Sequence, residues 1–581
     1  MSRRLALIGL FIFSASAFGK NAKIANDLDT TPGKNVDVIV TYNHAVTASQ
    51  HQKVFSRGGT LRTELKSVRG GAYTMPSDAL EDLANDPEVA HISPDRKLKG
   101  MLDLTAAAVN ASAAWTAGWY GAGIGVAVID SGIASEDDLN NNNVTLAPAN
   151  SHLPPGSGNS VVYAQSFVHE DTNDHYGHGT HVAGIIAASG KDSICQGCTR
   201  TLRGMAPEAS IINLKALDQN GEGTDSSVIA AIEQAIALKS KYNIRVINLS
   251  LGRPVAESYT QDPLCQAVEA AWQAGIVVVV AAGNDGRDNS QGTEGYGTIT
   301  APGNDPYVIT VGAMKTEGTP TRTDDLIASY SSKGPTMIDH VVKPDIVAPG
   351  NQVVSLLASG GATLPKDYSQ TLIHQSYYGV GNQTSPKYFM LSGTSMATPV
   401  VSGAVADLLE AQPSLTPDQV KARLMKDAYK TFPASSSATD STTGTVYVDQ
   451  YDVFTVGAGY LDIQAALADT TVAAGTALSP TASVDPTTGN VYLVADPSSV
   501  WDTRSVWGTQ SVWGTQSVWG VRTVWGNSAF VSGSNALWGS QAVWGTRAVW
   551  GNDSIWGASS VWGTSTTGGT EATSVVVNGE N

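Results

Sequence analysis

Apolar, β-branched runs of strand length alternate with runs of helix length through the middle of this chain, and that alternation leaves few folds open. The strand-like runs are GIGVAVID at 123–130, ASIINLKAL at 209–217, RVINLSLG at 245–252 and IVVVVAAGN at 276–284. Between and around them, HGTHVAGIIAAS at 178–189 and DSSVIAAIEQAIALKSK at 225–241 read as helices. Strands separated by helices of this length predict βαβ units and an α/β fold, with a parallel sheet covered by helices on both faces. A run such as 276–282, apolar at every position, reads as a parallel strand buried on both sides. In such a sheet, chemistry gathers beyond the C-terminal ends of the strands, which is where Asp130, Gly252 and Asn284 fall.

Three short segments supply the groups a hydrolase needs: Asp130 in VAVIDSGI, His178 in HGTHVAG and Ser395 in GTSMATP. A serine hydroxyl is a poor nucleophile until a neutral imidazole takes its proton. The imidazole in turn needs a carboxylate on its other nitrogen to fix the tautomer and stabilise the imidazolium. A tetrahedral intermediate also needs donors for its oxyanion. The Asn284 side-chain amide supplies one, and the backbone N–H of Ser395, at the start of a helix, supplies the other. Each residue has a plainer reading beside this one. Ser395 could be a helix cap, and Asp130 and Asn284 could belong to turns. His175, His178 and His181 could be read as a metal cluster, although no cysteine or carboxylate trio completes a zinc set nearby.

With those motifs in the order Asp, His, Asn, Ser, the chain resembles the subtilisin-like serine peptidases. GMAPEASIINLKALD at 204–218, SYSSKGP at 329–335 and KPDIVAPG at 343–350 carry the resemblance between the motifs. It implies a secreted endopeptidase that hydrolyses polypeptide substrates through an acyl-enzyme on Ser395, with no cofactor required for the chemistry. It also implies that Ser250, Leu251 and Gly252 pair with an extended substrate and, with Gly283, line the pocket for the residue before the scissile bond. Gly252 and Gly283 lack side chains, which predicts room there for a bulky apolar group. The segment at 191–204 falls where many relatives bind structural calcium, but KDSICQGCTRTLRG lacks the run of oxygen ligands such a site needs. No metal site is therefore assigned.

A small α+β unit is expected over 32–100, in the order β-α-β-β-α-β. It resembles the inhibitory propeptide of the same family, which leaves its last strand in the cleft of its own catalytic domain until cut away near Lys97 to Leu104. The peptidase domain is expected over 105–470, closed by a helix in GAGYLDIQAALA at 457–468.

The ends of the chain differ in character. Arg3 and Arg4 precede an apolar run from Leu5 to Phe13, and Ala15-Ser16-Ala17 offers a small-x-small cleavage site, so residues 1–19 read as a signal peptide. That apolar run is too short to remain as a membrane anchor, and no later segment reaches membrane length. Lys and Arg number 35 against 52 Asp and Glu, which argues against nucleic acid as a partner. In an exported chain, Cys195 and Cys198 suit a small local disulfide or inert thiols better than a redox motif.

After a linker at 471–498, residues 499–563 repeat VWGxxx and hold Trp501, Trp507, Trp513, Trp519, Trp525, Trp538, Trp544, Trp550, Trp556 and Trp562. A six-residue step keeps every indole on one face of an extended chain, whereas a helix would scatter them, so a β-type tail is expected. Rows of indoles can stack on sugar rings, which suggests cell-wall or polysaccharide contact, or they can stack on one another as a structural stalk. Residues 564–581 read as a flexible tail. A rival reading of the whole chain is a catalytically inactive peptidase fold that serves as a surface adhesion module.

Overall fold

The structure, a computed structural model, describes residues 21–100, 107–139, 160–484, 491–494, 523–525 and 579–580, apart from isolated positions within these spans. The expected signal peptide, most of the VWG repeat and the expected processing region after Gly100 lie outside the described residues.

The N-terminal unit runs β1 (Asn35–Tyr42), α1 (Ala48–Phe55), β2 (Thr60–Leu65), β3 (Gly70–Pro76), α2 (Leu80–Ala84) and β4 (Val89–Pro94), in the order that its sequence pattern predicts. Thr47 opens α1 with a capping box closed by Gln50. The strands form an antiparallel sheet in the order β2-β3-β1-β4. Alternation in β1 then divides its side chains between two cores. Val38 and Val40 pack with Tyr73, Met75 and Leu83 inside the unit, while Ile39, Leu65 and Ala72 join the main core of the chain. The second face of this small sheet is thus an interface with the body that follows.

The next strand, β5 (Lys97–Gly100), leaves that sheet altogether. The body begins with α3 (Ala111–Ala117), β6 (Gly125–Asp130), β7 (Val161–Ser166) and α4 (His178–Ala187). It continues through β8 (Ser210–Lys215), β9 (Glu222–Thr224), α5 (Asp225–Tyr242), β10 (Ile244–Leu249), β11 (Leu251–Gly252), α6 (Pro263–Gln273) and β12 (Val277–Ala281). Then come β13 (Ile309–Lys315), β14 (Leu326–Ile327), β15 (Ile346–Pro349), β16 (Val353–Leu356), α7 (Thr363–Asp367), β17 (Leu372–His374), β18 (Thr384–Leu391) and α8 (Thr394–Ala411).

The central sheet has eight strands in the order β14-β13-β12-β10-β6-β8-β7, with β15 also paired to β13. All its pairings are parallel except that of β14. Its helices pack in pairs, α5 with α6 and α4 with α8. Every residue of β6, β12 and β13 is buried, and β12, VVVVA, accordingly reads as an unbroken apolar run. From β6 the chain runs out to β7 and back to β8, which lies between them, then crosses by α5 to β10 on the other side of β6. The strand order therefore reverses between β6 and β10, and a crevice opens at their C-terminal ends. The closing helix forms at Ile463–Ala468.

Two sequence expectations need correction. Residues 471–498 do not form a plain linker. Thr481–Val484 and Val491–Val494 pair as antiparallel strands, and Thr523–Trp525 adds a third. Ala482 N donates to His340 O at 2.8 Å, which fixes this hairpin to the body. Nor is the whole of 564–581 a flexible tail, because Glu580 is buried and bonded to the body.

Candidate active site

Asp130 is the last residue of β6, and His178 is the first of α4. Their side chains meet at 2.6 Å, His178 Nδ1 to Asp130 Oδ1, and both are essentially without solvent. A set of backbone bonds holds the two segments in place. Ser131 N donates to Asp130 Oδ1 at 2.7 Å, and Gly179 N donates to Ser131 Oγ at 2.9 Å. Ser131 Oγ donates to Asp174 Oδ1, whose carboxylate also accepts from Gly177 N at 2.7 Å and Thr180 N at 2.8 Å. Burial pushes the Asp174 carboxyl up, and those N–H groups oppose the push. Gly179 is obligatory at this junction. A Cβ there would lie 2.2 Å from Gly132 O and 3.2 Å from Asp130 Cβ.

Ser395 is the second residue of α8, where the first N–H groups have no acceptor inside the helix. Its hydroxyl donates to Ser250 O at 3.1 Å, and Ser250 Oγ donates back to Ser395 O at 2.6 Å. Asn248 supports this exchange, donating from Nδ2 to Ser250 Oγ at 2.9 Å and accepting from Ser402 Oγ at 2.8 Å. Asn284 lies just past β12. Its Oδ1 accepts from Thr394 N at 2.9 Å and from Thr394 Oγ1 at 3.1 Å. That fixes which way the carboxamide points, and its Nδ2 is buried with no acceptor among the described residues. An orphaned donor of this kind is costly in a core and useful beside a developing negative charge. The structure thus joins Asp130 directly to His178, and joins Asn284, Thr394, Ser395 and Ser250 in a second group. The helices that carry His178 and Ser395, α4 and α8, pack on each other.

Ser250, Leu251 and Gly252 lie at the edge where β11 pairs antiparallel with β5, Leu251 opposite Gly100 and Gly252 opposite Lys99. On its other edge, β5 pairs with β9, Leu98 opposite Gly223. The chain's own residues 97–100 therefore run as a middle strand between two segments of the body. Sequence reasoning missed the β9 wall, for which the only signal was Gly221 and Gly223 in GEGT. It also misjudged why two positions are glycine. A Cβ on Gly252 would lie 2.5 Å from Thr300 Oγ1, and one on Gly283 would lie 2.7 Å from Ser332 Oγ. The directions expected to open a pocket are filled by the protein itself, and glycine lets the strand ends close on one another.

A model of the Subtilase family matches residues 121–459, which span both groups. The chain belongs to the subtilase family. It is 35% identical over 411 residues to the serine protease AprX of Bacillus subtilis (strain 168), covering 67% of this chain and 81% of that protein. It is 32% identical over 424 residues to subtilisin E of the same organism, covering 72% of this chain and 90% of that one. Its fold resembles the crystal structure of fervidolysin from Fervidobacterium pennivorans, described as a keratinolytic enzyme related to subtilisin. That likeness has a TM-score of 0.53 at 22% identity and covers 78% of this chain but 63% of the other, less than two thirds of its length. This subtilase is a subtilisin-like serine endopeptidase.

The remaining residues singled out in the sequence have plainer surroundings. His181 of the subtilase is buried, with its ring edge-on to Phe389 at 4.9 Å, and burial holds its pKa well below the usual value. His175 is exposed and lies 2.9 Å from Asp171. Among the described residues no group of three or more His, Cys, Asp and Glu is placed to hold a metal ion. In the loop once considered for calcium, Asp192 lies 3.1 Å from Lys387. Cys198 is disulfide-bonded, and Cys265 is a free, buried thiol. Among the described residues no helix is long and apolar enough to cross a membrane.

Proposed function

We propose that this subtilase cleaves internal peptide bonds through an acyl-enzyme on Ser395, with His178 as general base and then general acid, and Asp130 as its orienting carboxylate. A proton on Nδ1 of His178 faces Asp130, which leaves Nε2 basic for the serine proton. Asn284 Nδ2 and the Ser395 N–H receive the oxyanion as it forms. The observation that carries this reading is the Asn284 carboxamide, turned by Thr394 so that a buried N–H is left over. A purely structural asparagine would be expected to satisfy both ends.

The substrate lies as an extended strand against Ser250–Gly252, as residues 97–100 do now. On this reading, residues 32–100 are an inhibitory propeptide that occupies the cleft with its last strand. Docked on α5, it templates a parallel sheet whose contacts are distant in sequence and therefore slow to form. The enzyme is made as a secreted zymogen led by residues 1–19 and processes itself between Lys97 and Leu104. The VWG repeat either stacks on polysaccharide or on itself. Retention of the full chain on insoluble cell wall, lost on deletion of 499–563, separates the two.

The test of self-processing is the full-length Ser395→Ala chain. It stays a single species while the wild type is cut after the small N-terminal unit. Equal processing of both would assign the cut to another protease.

A further inference from the structure

Glu580 follows the repeat region at the far end of the sequence, yet its carboxylate is buried against the peptidase body. Oε2 accepts from Ser329 N at 2.8 Å, from Ser329 Oγ at 2.5 Å and from Arg287 Nη2 at 3.1 Å, and Oε1 lies 3.0 Å from Lys315 Nζ. The side chains of Arg287 and Lys315 are only 8% and 7% exposed. Two buried cations converging on one place need an anion there, because an uncompensated buried charge is strongly unfavourable. Asp440, 3.4 Å from Arg287, and Glu317, 3.3 Å from Lys315, each face one cation, whereas Glu580 faces both.

The backbone of the same residue is also read. Asn351 Oδ1 accepts from Glu580 N at 2.8 Å, and Asn351 Nδ2 donates to Glu580 O at 2.7 Å, with Gln352 Nε2 at 3.4 Å from that oxygen. One carboxamide thus pairs with both the N–H and the C=O of one residue, which is how a side chain imitates a neighbouring strand. The preceding residue is restricted as well. Gly579 has φ +64°, and a Cβ on it would lie 2.6 Å from Ser392 Oγ and 2.9 Å from Gln352 Cγ. The pocket therefore selects glycine followed by glutamate. A carboxylate alone would use only half of it.

We propose that Arg287, Lys315, Ser329 and Asn351 form a receptor for an acidic Gly-Glu peptide, and that Gly579–Glu580 is its resident ligand. The segment before the repeat is fixed to the body at the other end, where Ser479 Oγ donates to Asp345 Oδ1 at 2.5 Å and Val342 N donates to Pro480 O at 2.8 Å. The tryptophan repeat therefore lies in sequence between two points of attachment to the peptidase, at 479–480 and at 579–580. The receptor also abuts Ser392, three positions before Ser395, so the anchor braces the turn that leads into α8.

The experiment uses the full chain carrying Ser395→Ala to prevent self-digestion, alone and with either Glu580→Lys or deletion of 579–581. Hydrogen exchange is read over 326–333 and 350–353. Both variants should exchange at least tenfold faster there than the parent, because the Ser329 N–H loses its acceptor and Asn351 its partner. A labelled peptide, Val-Val-Val-Asn-Gly-Glu-Asn, should bind the deletion variant at least tenfold tighter than it binds the parent, whose receptor is filled. The same peptide with glutamine for glutamate should lose that binding. Unchanged exchange in the deletion variant, or equal binding of the two peptides, would overturn the proposal. Should Glu580→Lys fail to fold, the deletion variant still decides.

Discussion

Thr394 and Asn284 are locked together at 2.9 Å between backbone N–H and Oδ1 and at 3.1 Å between hydroxyl and Oδ1. Thr394 belongs to α8 and Asn284 to the exit of β12, so the bond ties the helix that carries Ser395, the proposed nucleophile, to the segment that carries Asn284, the proposed oxyanion donor. Asn284→Leu should lower kcat by about 10²–10³, the loss found when one such donor is removed in subtilisin, while KM changes little. Thr394→Val keeps the shape and the backbone bond but removes the hydroxyl. At about 1 kcal/mol for one hydrogen bond, its kcat should fall by about fivefold. Initial rates on a peptide amide substrate check both, and a KM effect with unchanged kcat would contradict the role.

The junction at Gly179 admits no side chain, since a Cβ would sit 2.2 Å from Gly132 O. Gly179→Ala must push α4 away from the turn after β6, and with it His178 away from Asp130. The expected result is a loss of more than about 100-fold in kcat/KM, as a displacement near 1 Å can cost. Overpacking should also destabilise the fold by about 1–3 kcal/mol. Activity and thermal unfolding measured on the same preparation test this, and a fully active alanine variant would contradict it.

Asp345 lies between two buried lysines, 2.7 Å from Lys343 Nζ and 3.2 Å from Lys421 Nζ. Burial pushes its carboxyl up, but the two ammonium groups overcome that and hold it below the usual carboxylate value. Asp345→Asn leaves the buried Lys343 and Lys421 amines without their anion and should cost about 3–5 kcal/mol. A carboxylate depressed in the folded state contributes stability above its unfolded pKa and loses it as the pH falls through the folded value. Denaturant titrations should therefore show the full difference between wild type and variant at neutral pH. The gap should narrow below about pH 4, near the ordinary carboxylate pKa. A gap that widens on acidification would contradict the assignment.

The N-terminal unit is held at its exit by Asp95, which accepts from Ser226 N at 2.7 Å at the start of α5 and lies 2.8 Å from Arg62. The N-terminus of a helix favours a negative charge. Asp95→Ala should speed release of the unit after processing by about tenfold, as loss of a buried charged hydrogen bond allows. The time course of activity after processing reads this directly, and an unchanged lag would show that the contact does not govern release.

The residues proposed for catalysis stand out in the sequence because each sits in a short contiguous motif at the end of an element. Asp130 ends an apolar run, His178 and Ser395 open helices, and Asn284 follows four valines. What escaped were relations between distant segments. Thr300 lies 48 positions after Gly252 in the chain, and nothing local says that it fills the space beside that glycine. Strand β9 is too short for periodicity to show, and its pairing with residues 97–100 joins segments more than 120 positions apart. Glu580 finds Ser329 across 251 positions, so its composition-based reading as a loose end could not anticipate the contact.

The central claim is that Ser395 is made nucleophilic by His178. Its most direct test is labelling of the processed enzyme with a serine-directed fluorophosphonate, followed by mass mapping. One adduct is expected, on Ser395, absent in Ser395→Ala and formed at least 100-fold more slowly in a folded His178→Ala variant freed of its N-terminal unit by an added protease. An adduct on another serine, or labelling of Ser395 at the same rate without His178, would contradict it.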